Sequence, residues 1–187
     1  MTFIIKIKSL KKQLVMKKIL LALCALFVCF SGFAKEIEVV EGKAQMKKRE
    51  GLAYITFNWE NALWDKKTPI KEQWGEDYSK YVTEGEKAFI ATFNEKVKKL
   101  QTTDNASEAN YSIAIEFVNF DYYFSAMSFV PGHKHKVWAD ITITDNTTGE
   151  VVCKIKVTEL AGDRDFVKFD SFPKMMQLLA EEITKLK

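Results

Sequence analysis

Between Lys136 and Thr144 apolar and polar residues alternate, with Val137, Ala139, Ile141 and Ile143 on one side and Trp138, Asp140, Thr142 and Thr144 on the other. A strand has a side-chain period of two, so this pattern predicts a strand with one buried and one wet face. A second run, Val151 to Thr158, repeats the pattern, and Asp145-Asn146-Thr147-Thr148-Gly149 between them predicts a hairpin loop. Further strands are expected at Ile37 to Val40, Gly51 to Trp59 and Tyr111 to Phe120. The period changes after Thr83. There Phe89, Phe93, Val97 and Leu100 recur at helical intervals over Glu84 to Leu100, and Thr83 with Glu86 has the spacing of a capping box. Near the end, Ser171 can cap a second helix with Pro173 in its first turn and Met176, Leu179, Ile183 and Leu186 along one side.

The order is two strands, helix, three strands, helix. It predicts an α+β domain, a two-layer sandwich in which two helices cover one face of a mainly antiparallel sheet of four to five strands. Two stretches fall outside this frame. Residues 60–82 form a long aromatic-rich insertion carrying Trp64, Trp74, Tyr78 and Tyr81 among charged residues. Residues 117–129 read FVNFDYYFSAMSF and include Tyr122 and Tyr123. Long connections are often functional, and exposed Trp and Tyr anchor partners or stack on sugar rings. These six residues are therefore the partner or ligand-binding candidates, against the plainer account that they fill the core.

The start of the chain changes the charge picture. From Met16 it reads MKKILLALCALFVCFSGFAKE, two lysines followed by an apolar run from Ile19 to Phe30 and a small-residue exit. That is the grammar of a secretory signal, with cleavage expected after Ala34 and Met16 the expected start. The run is too short to cross a hydrocarbon layer of about 30 Å. The expected organisation is thus a signal over 1–34 and a single domain over 35–187, placed in the periplasm or secreted, with no membrane span after cleavage. Six of the 28 basic residues, Lys6, Lys8, Lys11, Lys12, Lys17 and Lys18, precede Ala34, and all 25 acidic residues follow it. The remainder holds 22 basic against 25 acidic side chains, a net charge of −3. Nucleic acid therefore loses its electrostatic warrant, and Lys47-Lys48-Arg49 is expected to be a solvated face. Cys153 is the one cysteine after Ala34. It has no partner for an internal bridge, and its alternation with Val151, Ile155 and Val157 predicts a buried, inert thiol.

Pro131-Gly132-His133-Lys134-His135 contains both histidines of the chain. In an extended strand the two imidazoles share a face about 6.6 Å apart, a possible grip on one metal ion. A stable site takes three or four ligands. Asp121 or Asp140 would have to complete it, and Asp140 points to the opposite face. Turn chemistry at Pro-Gly favours a loop with two exposed imidazoles. His133 and His135 are the metal candidates that remain, and no metal or cofactor is expected. Asp163 and Asp165 around Arg164 read as a charged turn. The chain contains no Gly-x-Ser-x-Gly, phosphate-cradling glycine loop or His-Glu-x-x-His, and no enzymatic activity is expected.

The lysine-led signal, EIEVVEG (Glu36 to Gly42), EKAFIATFNEKVKK (Glu86 to Lys99), ANYSIAIEF (Ala109 to Phe117) and the closing hairpin plus helix resemble uncharacterised exported proteins of Gram-negative bacteria. Their arrangement is similar to the amino-terminal α+β module of the periplasmic protein TolB. The resemblance implies a non-catalytic accessory or interaction module of the cell envelope and carries over no functional residues. Its partner would be an envelope protein. The alternative is a small-ligand binder, for carbohydrate among others, with Trp74, Tyr122 and Tyr123 as stacking platforms, and a metal-dependent enzyme stands third.

Overall fold

The computed structural model describes residues 36–125, 132–162 and 171–187, without the side chains of 123–125 and 132–133. In chain order its elements are β1 (Ile37–Gly42), β2 (Gly51–Asn58), β3 (Leu63–Trp64), β4 (Thr68–Pro69), α1 (Ile70–Trp74), α2 (Tyr78–Lys96), β5 (Leu100–Thr102), β6 (Tyr111–Ser125), β7 (Gly132–Asp145), β8 (Glu150–Ala161) and α3 (Ser171–Lys185). Short 3₁₀ turns lie at Met46–Lys48, Gly75–Asp77 and Ala106–Glu108.

Eight strands join one sheet in the order β1-β8-β7-β6-β2-β5, with β3 added to β6 and β4 to β3. The sheet is mixed. β1, β8, β7 and β6 pair antiparallel, whereas β2 runs parallel to both β6 and β5. This overturns the expected mainly antiparallel sheet of four to five strands. The added strands are two- or three-residue pieces with no alternation to betray them. A parallel pair needs a crossover, and the chain between β2 and β6 supplies it through α1, α2 and β5.

The insertion is built rather than looped. β3 continues along β6 where β2 stops, pairing Leu63 with Asn119 and Trp64 with Phe120. The β3–β4 turn carries Asp65 and Lys66 at positive φ of 48° and 58°, a mirror-image turn usually left to Asn-Gly. Asn119 holds it by accepting the Lys66 backbone N–H at 2.6 Å. α2 then begins at Tyr78, ahead of the expected capping box, because Tyr81 and Gly85 extend the buried stripe of Phe89 and Phe93 backwards by two turns. Thr83 lies inside the helix. At the far end Asn94 bonds both the Thr102 backbone N–H and its hydroxyl, at 2.9 and 2.8 Å, which turns the chain straight into β5.

Irregularities at Trp138 bend the sheet. Val118 is an extra residue in β6, and Thr158 and Glu159 together oppose Trp138 from β8, with Glu159 at φ 58°. Bulges of this kind sharpen local twist and re-aim side chains. Before the bulge the odd residues Ile113, Ile115 and Phe117 are buried, and after it Phe120 takes over while Val118 is turned outward at 47% exposure. A similar shift near Val152 turns Val151 out at 43%, away from the face it was expected to share with buried Cys153. His133 and His135 lie in β7, opposite Phe124 and Tyr122. The loop expected there is a strand, because β6 and β7 both extend past their alternating segments, and His135 is fully buried instead of exposed.

The covered face packs against α2 and α3, and the other face presents Glu116, Asp140, Lys154 and Lys156 to water. The helices meet closely at Gly85, where an added Cβ would come within 2.5 Å of Phe172 Cε1 and 3.2 Å of Met176 Cγ. We predict that Gly85→Ala lowers the unfolding free energy by about 1 kcal/mol, since overpacking of about 1–3 kcal/mol outweighs the roughly 1 kcal/mol gained in helix propensity. Gly85→Leu should lower it further. Equilibrium urea unfolding checks both.

Candidate functional site

The candidate residues converge on the end of the sheet where β3 joins β6. β2's alternation places Ile55, Phe57 and Trp59 on one face, and Trp59 leaves the strand as the chain turns towards β3. Its ring lies 4.0 Å from that of Phe117, 5.4 Å from Phe120, and 6.1 Å from both Trp74 and Phe172. It thereby joins the sheet to α1 and α3. Its Nε1 donates to Glu86 Oε1 of α2 at 2.8 Å. Trp59 and Glu86 stand outside the site residues expected from the sequence, where Trp59 only ends a strand and Glu86 only completes a capping box, although the phase of Phe57 with Trp59 was there to be read.

Trp74 sits at the end of α1, 5% exposed. Its faces are taken by Tyr81 at 4.8 Å, Phe172 at 4.9 Å and Phe120 at 5.8 Å. The Trp74 Nε1 finds no acceptor among the described residues, and the surrounding rings hold it by burial. Tyr81 is likewise buried. Trp64, Tyr78 and Tyr122 are half-buried and form the rim. Trp64 is 6.4 Å from Trp74 and 6.3 Å from Tyr122, and Tyr78 is 6.2 Å from Trp74. Tyr123 pairs with Lys134 in the ladder, and its side chain lies outside the described residues. Five of the six aromatic candidates are thus gathered in one cluster, with Trp74 and Tyr81 as its interior.

His135 completes the floor, 5.0 Å from Tyr122, 5.4 Å from Phe172 and 6.3 Å from Trp64. Its Nδ1 meets Ser171 Oγ at 2.5 Å, and both residues are fully buried. Ser171, expected as a cap, therefore directs its hydroxyl across the core to the strand. A serine beside a histidine is the makings of a nucleophile and base, but a nucleophile must reach its substrate, and this pair is sealed beneath rings. The side chain of His133 lies outside the described residues, as do Asp163, Arg164 and Asp165. Among the described residues no three His, Cys, Asp or Glu side chains are grouped to hold a metal ion.

Burial governs the ionisable groups here. It raises the pKa of Tyr81, with Asp77 adding to the effect, of Tyr78, with Glu86 adding, and of Tyr122. All three stay neutral phenols at ordinary pH. Burial also raises Glu86, against the opposing hydrogen bond from Trp59, and raises the Cys153 thiol, against the opposing charge of Arg49. Cys153 is consequently a poor nucleophile.

No family model and no curated protein matches the chain. Solved structures do. A PelC dodecamer from Paraburkholderia phytofirmans matches at 11% identity and a TM-score of 0.47, over 81% of this chain and 98% of that one. A minor lipoprotein from Acinetobacter baumannii matches at 8% identity and 0.37, over 72% and 90%. A neuraminyllactose-binding hemagglutinin homolog from Helicobacter pylori matches at 10% and 0.31, over 78% and 83%. Likenesses this distant transfer no chemistry, and they lend no support to the TolB-type module expected from the sequence.

Trp74→Ala should lower the unfolding free energy by about 3–5 kcal/mol and Trp64→Ala by clearly less, as read from urea midpoints. Glu86 gives a pH test. Its folded-state pKa lies above the unfolded value, so the folded chain binds the extra proton, and stability is lost as pH rises through that window. Gln keeps an acceptor for Trp59 without the charge. The stability of Glu86→Gln relative to the unsubstituted chain should therefore increase between about pH 4 and about pH 7, measured by urea unfolding at both.

Proposed function

We propose that the chain is a non-catalytic, exported module of the cell envelope that docks a protein partner along the open edge of its sheet. The observation that carries this reading is β1. It pairs with β8 on one side and no described strand lies on its other side. Val40 is 56% exposed and falls at a register shift, out of step with the β8 ladder. An unpaired edge presents backbone donors and acceptors that a partner strand can meet, and the glutamates Glu36, Glu38 and Glu41 along it select against indiscriminate pairing.

The non-catalytic part is supported by where the described reactive side chains are engaged. His135 and Ser171 bond each other under the rings, Glu86 holds Trp59, and Cys153 lies in the core. The export part is supported by the lysine-led apolar segment ending at Ala34. Among the described residues no helix is long and apolar enough to cross a membrane. A stacking site for carbohydrate is less favoured, because Trp74 has no free face and only the rims of Trp64, Tyr78 and Tyr122 meet solvent.

The test is site-specific photocrosslinking in the producing cell. A photoreactive residue at position 40 should trap a discrete protein adduct, whereas one at Lys71, exposed on α1, should not. Trp64→Ala should leave the position 40 adduct unchanged. Equal trapping at both positions, or none at 40, removes the edge as the docking surface.

A further inference from the structure

The connection from β1 to β2 is anchored from below by Ala44 and Met46, both fully buried. On its outer side it borders a groove of about 590 Å³ lined by Lys43, Gln45, Lys48, Arg49, Glu50, Tyr111 and Val152. Arg49 is fixed. Its Nε donates to Ala44 O and its Nη2 to Lys43 O, each at 2.9 Å, and the guanidinium lies 4.8 Å over the Tyr111 ring. Lys47-Lys48-Arg49 is therefore more than the solvated face expected from the sequence, since Arg49 is half-buried and immobilised.

No described carboxylate pairs with Arg49, and the neighbouring acids are engaged elsewhere, Glu50 with Lys99 and Glu41 with Lys154 at 2.6 Å. Of the five guanidinium N–H groups, two are spent on the loop carbonyls, which leaves three donors in a rigid plane. Lys43 and Lys48 are exposed beside them and have no ion-pair partner among the described residues. Such a fork flanked by point charges is suited to a tetrahedral oxyanion, because guanidinium meets two oxygens at once and ammonium groups neutralise the rest. The groove falls within the roughly 300–1,000 Å³ of small-molecule sites and is larger than a bare anion requires.

We infer that this groove binds a phosphate-bearing molecule, with Arg49 as the oriented fork, Lys43 and Lys48 as counter-charges, and Tyr111 as the wall behind. The inference concerns a surface away from the aromatic cluster and does not rest on docking at β1. The phosphate could be carried by a soluble sugar or by a lipid headgroup, and the experiment separates these. The ¹⁵N-labelled full chain is titrated with glucose 6-phosphate against sodium chloride of equal ionic strength, and is floated with phosphatidylcholine vesicles with and without phosphatidic acid. Saturable shifts confined to 43–50 and Tyr111 with glucose 6-phosphate establish a soluble ligand. Flotation only with phosphatidic acid, competed by glucose 6-phosphate, establishes a headgroup. In Lys43→Gln/Lys48→Gln, whose exposed side chains are not needed for folding, either response should weaken at least about tenfold at an unchanged melting temperature. Shifts reproduced by chloride, no response to either probe, or a response undiminished in the double variant would overturn the inference.

Discussion

Trp59 is the contact on which the architecture turns. It occupies the point where the β2 ribbon breaks off before resuming as β3, and it is placed there because a bare strand end cannot bury so large a ring alone. By stacking on Phe117 and Phe120 it fixes where α1 and α3 must sit, and by bonding Glu86 it fixes the rotation of α2. The bulge at Val118 serves the same end, since without that extra residue Phe120 would face water and Phe117 would be left without it beneath the tryptophan. The half-buried Glu86 carboxyl is held in this setting by the indole N–H, an arrangement that substitutes specificity of position for hydrophobic gain.

Much of the frame could be read from side-chain periods alone. The alternation of Val137 to Ile143 and of Cys153 to Val157 located two strands and their covered faces, and the recurrence of Phe89 and Phe93 located the long helix. The parallel character of β2 could not be read this way, because alternation reports which face is covered and not which neighbour is paired. Asp65 and Lys66 hid a mirror-image turn, since neither residue type advertises positive φ. What stabilises that turn is Asn119, more than fifty residues away in sequence. His135 was misjudged because Pro-Gly suggested a turn at the point where the chain in fact enters β7. At the site, residue type drew attention to the right aromatics, but exposure is set by tertiary packing, and only the fold separates Trp74 inside from Trp64 on the rim.

The distribution of chemistry across the molecule follows from the one-sided cover. Among the described residues, His135, Ser171 and Glu86 lie on the helix side, His135 meeting Ser171 and Glu86 accepting from Trp59. The two surfaces proposed above for recognition lie along the sheet margin, at β1 and at the connection that follows it. Gly42 links the two surfaces. At φ 70° it ends β1, and a Cβ there would lie 2.1 Å from the Val152 carbonyl oxygen, so the chain can pass from strand to loop only through a residue without a side chain.

Cys153 has a consequence of a different kind. It is the sole cysteine among the described residues, and it sits fully enclosed at the ladder position where Ile143 and Gly42 face it from either side. An alkylating reagent can reach it only when β1 or the neighbouring ladder separates. Its modification rate is accordingly a built-in clock for the momentary opening of that margin, readable by mass alone and without introducing any label.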